Sequence, residues 1–166
     1  VSLARGVLNW VYPDALHVVG AISAAVSERR LPAAAAPESG TGLTAYHATV
    51  RALRQYAARL HAQTDEAAPA FSLLLVEPML WTRFTPADGD VHVQVHATAP
   101  QPGDLVLISG ETVVHATAHG RLAIGEAHRR GLVRFYGTPD QVARFLALYA
   151  EVGSPTPVDG PPSQPQ

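Results

Sequence analysis

Histidine, present in eight copies, is the side chain in this sequence best suited to acid–base or metal chemistry, and spacing decides what each copy could do. His115 and His119 lie one helical turn apart with Glu111 one turn earlier, which would let a single helix face chelate a metal. The plain alternative is a solvated face of a short helix, and no HExxH pattern strengthens the metal assignment. His92 and His96 fall on a strand pattern, which puts them about 13 Å apart at ~3.3 Å per residue, too far to share an ion.

Nucleophiles fare worse. No serine sits in a Gly-x-Ser-x-Gly elbow, and Ser109 is better read as a helix N-cap than as a nucleophile. Asp88 and Asp90 belong to a turn, and Asp65 with Glu66 to a polar connector; neither pair has the apolar setting that acid catalysis needs. Glu77 interrupts an apolar stretch, and if it is partly buried it needs a partner, for which Arg83 or another Arg is the obvious candidate. No cofactor motif is present, and the chain reads as a non-enzyme.

Composition narrows the field further. The absence of cysteine excludes disulfides, thiolate zinc sites, iron–sulfur clusters and cysteine nucleophiles together. All twelve basic residues are Arg, so Schiff-base, P-loop and kinase lysines are excluded too. A net charge of -2, spread along the chain, offers no basic stripe for nucleic acid. The longest apolar stretch, from Phe71 to Trp81, is broken by Glu77 and Pro78 and falls short of the ~20 residues a membrane span needs. The expectation is a soluble, cytoplasmic protein.

The elements that must position these residues follow from periodicity. Leu16, Val19, Ile22 and Val26 predict one face of a helix over 14–30, and Tyr46, Val50, Leu53, Ala57 and Leu60 another over 44–63, with Arg51, Arg54, Gln55 and Arg59 away from it. Between them Leu31 to Gly42, rich in Pro, Gly and Ala, reads as a connector. Phe71 to Phe84 predicts one strand broken at Pro78 or two short ones. Val91, Val93, Val95 and Ala97 alternate with polar residues as a half-buried strand after an Asp88-Gly89 turn. An antiparallel meander is expected, continuing into a strand over 105–108. Helices ending at Gly120 and Gly131, a strand over 132–136, and a helix opened by Thr138-Pro139-Asp140-Gln141 complete the domain, the last with Val142, Phe145, Leu146 and Tyr149 on one face.

One α+β domain over 1–152 is therefore expected, with a helical part over 1–65 and a sheet with C-terminal helices over 70–152. The tail over 153–166 is rich in Pro, Gly, Ser and Gln, has too little apolar surface to offset the entropy of ordering, and is expected to be disordered.

At the junctions, Asp104-Leu105-Val106-Leu107 leads to Ser109, and Gly120, Leu122, Ala127, Gly131, Val133, Phe135 and Gly137 follow at fixed spacings. This order resembles the C-terminal half of sterol carrier protein type domains, over a quarter to a third of the chain. The sequence departs from that pattern after Ser109, where Val114, His115, Thr117 and Ala118 stand in place of bulky Leu and Phe, and its N-terminal part is longer.

The resemblance implies a curved, mostly antiparallel sheet of about five strands with helices on one side, enclosing a cavity for a lipid, acyl chain or quinone-like molecule. The residues expected to line that cavity are Leu73, Leu75, Trp81, Val93, Val95, Leu107, Val114, Phe135 and Phe145. A second expectation is an accessory or scaffold subunit of a larger complex, redox complexes included. It would dock a protein partner or another copy through the N-terminal helices and the aromatic segment Trp10 to His17, which could equally fold back over the sheet.

Overall fold

The computed structural model describes residues 12–31, 42–65 and 68–155. Their elements run α1 (Ala15–Ser27), α2 (Gly42–His61), β1 (Phe71–Leu75), β2 (Leu80–Ala87), β3 (Asp90–Val95), β4 (Leu105–Ser109), α3 (Glu111–Ala118), α4 (Ile124–Arg129), β5 (Arg134–Tyr136) and α5 (Pro139–Tyr149). The segment beyond Leu31 and before Gly42, Trp10, Glu66 and the tail after Pro155 lie outside the described residues. No helix among the described residues is long and apolar enough to cross a membrane.

The local signals are met at several junctions. Asp88 and Gly89 both take positive φ, 53° and 75°, the two-residue turn whose twist suits a hairpin, and they join β2 to β3. Thr138 and Gln141 form a reciprocal capping box at the start of α5, with Pro139 in its first turn. Gly120 and Gly131 follow the ends of α3 and α4, where Arg121 N–H reaches the Ala116 carbonyl and Leu132 N–H the Ala127 carbonyl.

The sheet is open, in the order β3-β2-β1-β4-β5, and is not curled or closed. Three of its four pairings are antiparallel, but β4 lies parallel to β1, Phe71 opposite Leu105 and Leu75 opposite Ser109. The meander expected from the sequence therefore stops at β3. The chain then returns across the sheet to insert β4 on the far side of β1. The physical reason is burial: every residue of β1 and of β4 is buried, the mark of strands covered on both faces.

Register sorts the side chains into two faces. Phe71, Leu73 and Leu75 share one with Phe84, Leu107 and Phe135, beneath α2 and α5; Tyr56 meets the Phe84 ring at 5.8 Å, and Phe145 meets Phe71 at 5.0 Å and Phe135 at 5.3 Å. Leu74, Val106 and Ile108 point the other way, toward α1, which packs against β4. Helices thus cover both faces, a correction to the one-sided arrangement implied by the resemblance.

Two further corrections concern α1 and Ser109. The buried face of α1 is Ala15, Val18, Ile22 and Ala25, and Leu16 is 64 % exposed. Ala, Val and Ile lie on several sides of this helix, so hydropathy alone does not choose a face, and the smaller side chains allow the closer approach to the sheet. Ser109 is the last residue of β4, and its hydroxyl donates to the Leu132 carbonyl at 2.9 Å, so Gly110 occupies the N-cap of α3. In α2, by contrast, Leu53, Ala57 and Leu60 are buried with Thr49, Ala52 and Tyr56, while the three arginines and Gln55 of the outer face are exposed.

Candidate functional site

An apolar cavity is expected between the sheet and the helices, a space that includes the seam between the sheet and α3–α4. Leu73 and Leu107 meet Val113, Val114, Ile124 and Val133 there around a void of about 10 Å³. That is room for one water at most. Three of the nine expected lining residues, Leu73, Leu107 and Val114, border it. Leu75 and Phe145 are fully buried elsewhere in the packing, and Val93, Val95 and Phe135 are half-buried around the core.

Trp81 is on the opposite face from the other sheet residues, because it pairs with Leu74. Its ring meets Tyr12 at 5.8 Å, and Tyr12 in turn meets Tyr136 at 5.0 Å. The Asp14 N–H donates to the Tyr136 hydroxyl at 3.0 Å. The described part of the aromatic N-terminal segment thus folds back over the sheet.

The titratable residues are arranged differently from the sequence expectation. Arg83 does not meet Glu77. Its guanidinium donates from Nε and Nη2 to the two oxygens of Asp104 at 2.8 and 2.9 Å, and the Asp104 carboxylate also accepts from the Ser72 hydroxyl at 2.8 Å and the Gln101 N–H at 3.2 Å. The Asp104 side chain is 4 % exposed. Burial alone would raise its pKa, but the hydrogen bonds from Arg83, Ser72 and Gln101, with the charge of Arg83, hold it below the usual aspartate value. The lone cue in the sequence is the apolar strand that Asp104 precedes, and nothing in that cue names a partner on β2.

Glu77 instead reaches the N-terminus of α3, where its carboxylate accepts the Glu111 N–H at 3.1 Å. It lies over Gly110, where any Cβ would collide with it and with the Ile22 side chain. The residue as a whole is exposed, yet its carboxylate is tucked against this turn. That desolvation raises its pKa, the like charge of Glu111 adds to the effect, and backbone hydrogen bonds oppose it. The Glu111 carboxylate in turn accepts from the Thr49 hydroxyl of α2.

Glu77 and Glu111 face an open cleft of about 340 Å³, bounded by the start of α2, the β1–β2 turn and the first residue after β3. Tyr46, Thr49, Leu80 and His96 line its other sides. The Tyr46 and His96 rings stack at 5.3 Å, with the Tyr46 hydroxyl 2.9 Å from His96 Nε2. The sequence pattern holds no hint of this cleft, because its residues come from four separate elements and only Glu77 breaks a local pattern.

The remaining histidines separate. His96 has positive φ, 63°, and lies beyond β3, so it is not on the same strand face as His92. His115 and His119 stack at 6.0 Å, and His119 Nδ1 is 2.7 Å from the His115 carbonyl. Burial, then the charge of His119, lower the His115 pKa; Glu111 pulls it back up in part, and Arg121 adds a smaller lowering. Among the described residues no three metal-ligating side chains lie together.

No protein-family model matches the chain, and no curated protein matches it. Among solved structures, a stereoselective inverting sec-alkylsulfatase from Pseudomonas sp., also solved as a double mutant, is 16 % identical at a TM-score of 0.45, over 57 % of this chain and 15 % of that one. This chain therefore spans only a small part of the sulfatase's length. A conserved hypothetical protein from Thermus thermophilus, described as a possible sterol carrier protein, is 18 % identical at a TM-score of 0.39, over 68 % of this chain and 85 % of that one. Likenesses this slight transfer neither a ligand nor an activity.

Proposed function

We propose that the chain is a non-catalytic binding module that takes an apolar molecule, a lipid, acyl chain or quinone-like compound, between its sheet and helices α3 and α4. The supporting observation is the make-up of that seam, a small void walled mostly by Leu, Val, Ile and Ala, with Tyr56, Ser109 and Thr117 also at its edge. A ligand must part α3 and α4 from the sheet to enter. The buried face of α3 carries Val, Thr and Ala in place of large side chains, so moving it uncovers little apolar surface. Ligand burial, at about 25 cal/mol per Å², offsets that cost.

Mass spectrometry of an organic extract of the purified protein, with titration by a fluorescent fatty acid, tests this. A co-purified hydrophobic molecule or saturable uptake of the fluorescent fatty acid is expected. No extractable molecule together with no uptake would remove the proposal.

A second reading, an accessory subunit, draws on the two N-terminal helices, where Leu16 and Leu43 are each 64 % exposed. Co-purification with size measurement tests it, and a strict monomer without a partner would count against it.

A further inference from the structure

The strands β1 and β4 run parallel, and the chain leaves their carboxyl ends in different directions, β1 into the hairpin with β2 and β4 into α3. Divergence of this kind opens a crevice beyond the strand ends, and in open sheets such crevices are where ligands seat. Here the crevice is the cleft of about 340 Å³, a volume at the lower end of small-molecule sites.

Its chemistry is one-sided. Glu77 and Glu111 are both on its wall, no arginine lines it, and neither carboxylate is in an ion pair with any described residue. The positive end of the α3 dipole is worth about half a charge and leaves most of two carboxylate charges uncompensated. The hydrogen bonds from Thr49 and the Glu111 N–H take up part of their acceptor capacity, and a carboxylate has about four lone-pair sites. The same cleft is lined by Leu80 and by the Tyr46 and His96 rings, which stack on each other.

Carboxylates in a cleft that also carries aromatic rings and an apolar side chain suit a cation that carries carbon as well as charge. A bare metal ion would want three or more ligating side chains, which the described residues do not gather anywhere. We propose that this cleft binds a small organic cation, a primary or quaternary ammonium attached to an apolar group, with the ammonium between Glu77 and Glu111 and the apolar group against Tyr46 and Leu80. The site is separate from the seam invoked above, so fatty-acid uptake and cation binding can fail independently.

Titration of the purified chain by heteronuclear NMR with benzylammonium, benzyl alcohol and benzoate tests the proposal. Benzylammonium should bind saturably, shift the Tyr46 and His96 resonances, and bind at least about tenfold more tightly than the neutral alcohol, as loss of a charge-assisted contact pair implies. Benzoate should bind more weakly still. In Glu77→Gln with Glu111→Gln the preference for the cation over the alcohol should vanish. Equal binding of all three probes to the native chain, shifts confined to residues outside the cleft, or displacement of benzylammonium by an equal concentration of calcium would each overturn it.

Discussion

The two ends of the central strands treat their carboxylates in opposite ways. At the amino end of β4, Asp104 is buried, doubly bonded to Arg83 and further held by Ser72 and Gln101. At the carboxyl ends of β1 and β4, Glu77 and Glu111 sit side by side with no cation among the described residues. The first corner uses its charge within its own architecture: strands β1 and β2 and the approach to β4 are pinned together through one carboxylate. The second holds like charges together and leaves them available to something outside the chain. A charge that is fully answered within a fold is structural, and one left unanswered beside a cleft is where function is to be sought.

Removing each corner separates them. Asp104→Ala strips Arg83 of its partner and leaves the Ser72 hydroxyl, wholly buried, without its acceptor. The expected loss is about 3 kcal/mol in denaturant unfolding, since removing one member of a largely buried pair exposes the cost of the other. A loss under about 1 kcal/mol would erase the distinction between the corners.

The pH dependence comes next in size. The folded-state pKa of Asp104 lies below its unfolded value, so its stabilisation is complete at neutral pH and fades as pH falls from about 5 through the folded value. Glu77 is shifted the other way, so its contribution is present in acid and lost as pH rises through its raised folded value. Stability measured against pH should therefore show a steeper acid loss in the native chain than in Asp104→Ala. Glu77→Gln should deepen that acid loss, because it removes the group that gains on protonation.

The smallest expected effect is that of Glu77→Gln at neutral pH, within about 0.5 kcal/mol of the native chain or slightly above it. The amide keeps an acceptor for the Glu111 N–H while the repulsion with Glu111 disappears. A loss of about 2 kcal/mol would make Glu77 a structural cap and bring the two corners into one class.

Much of the fold is legible in the sequence because it rests on short-range rules. The Asp88-Gly89 hairpin, the Thr138 capping box and the helix ends at Gly120 and Gly131 each need only neighbouring residues. What sequence spacing does not carry is which strand sits beside which. The runs of β1 and β4 announce burial on both faces, but not that they are neighbours or parallel. The break at Pro78 also hides the phase of β2. Leu80 and Phe84 lie on one face and Trp81 on the other, so hydropathy alone allows either, and assigning Trp81 to the cavity is an error of phase. Arg83 is subject to the same ambiguity and finds Asp104, which lies on another element. The cleft depends on four elements meeting and has no local signature at all.

The parallel insertion of β4 also bears on how the chain acquires its shape. Strands β1 to β3 can zip together through two successive hairpins, yet β1 stays an open edge until Leu105 to Ser109 has been synthesised and carried across. The Asp14 bond to Tyr136, spanning 122 positions, forms only after that. During synthesis the apolar run of β1 is thus an unguarded template for pairing with other nascent chains, and slow arrival of β4 would favour aggregation.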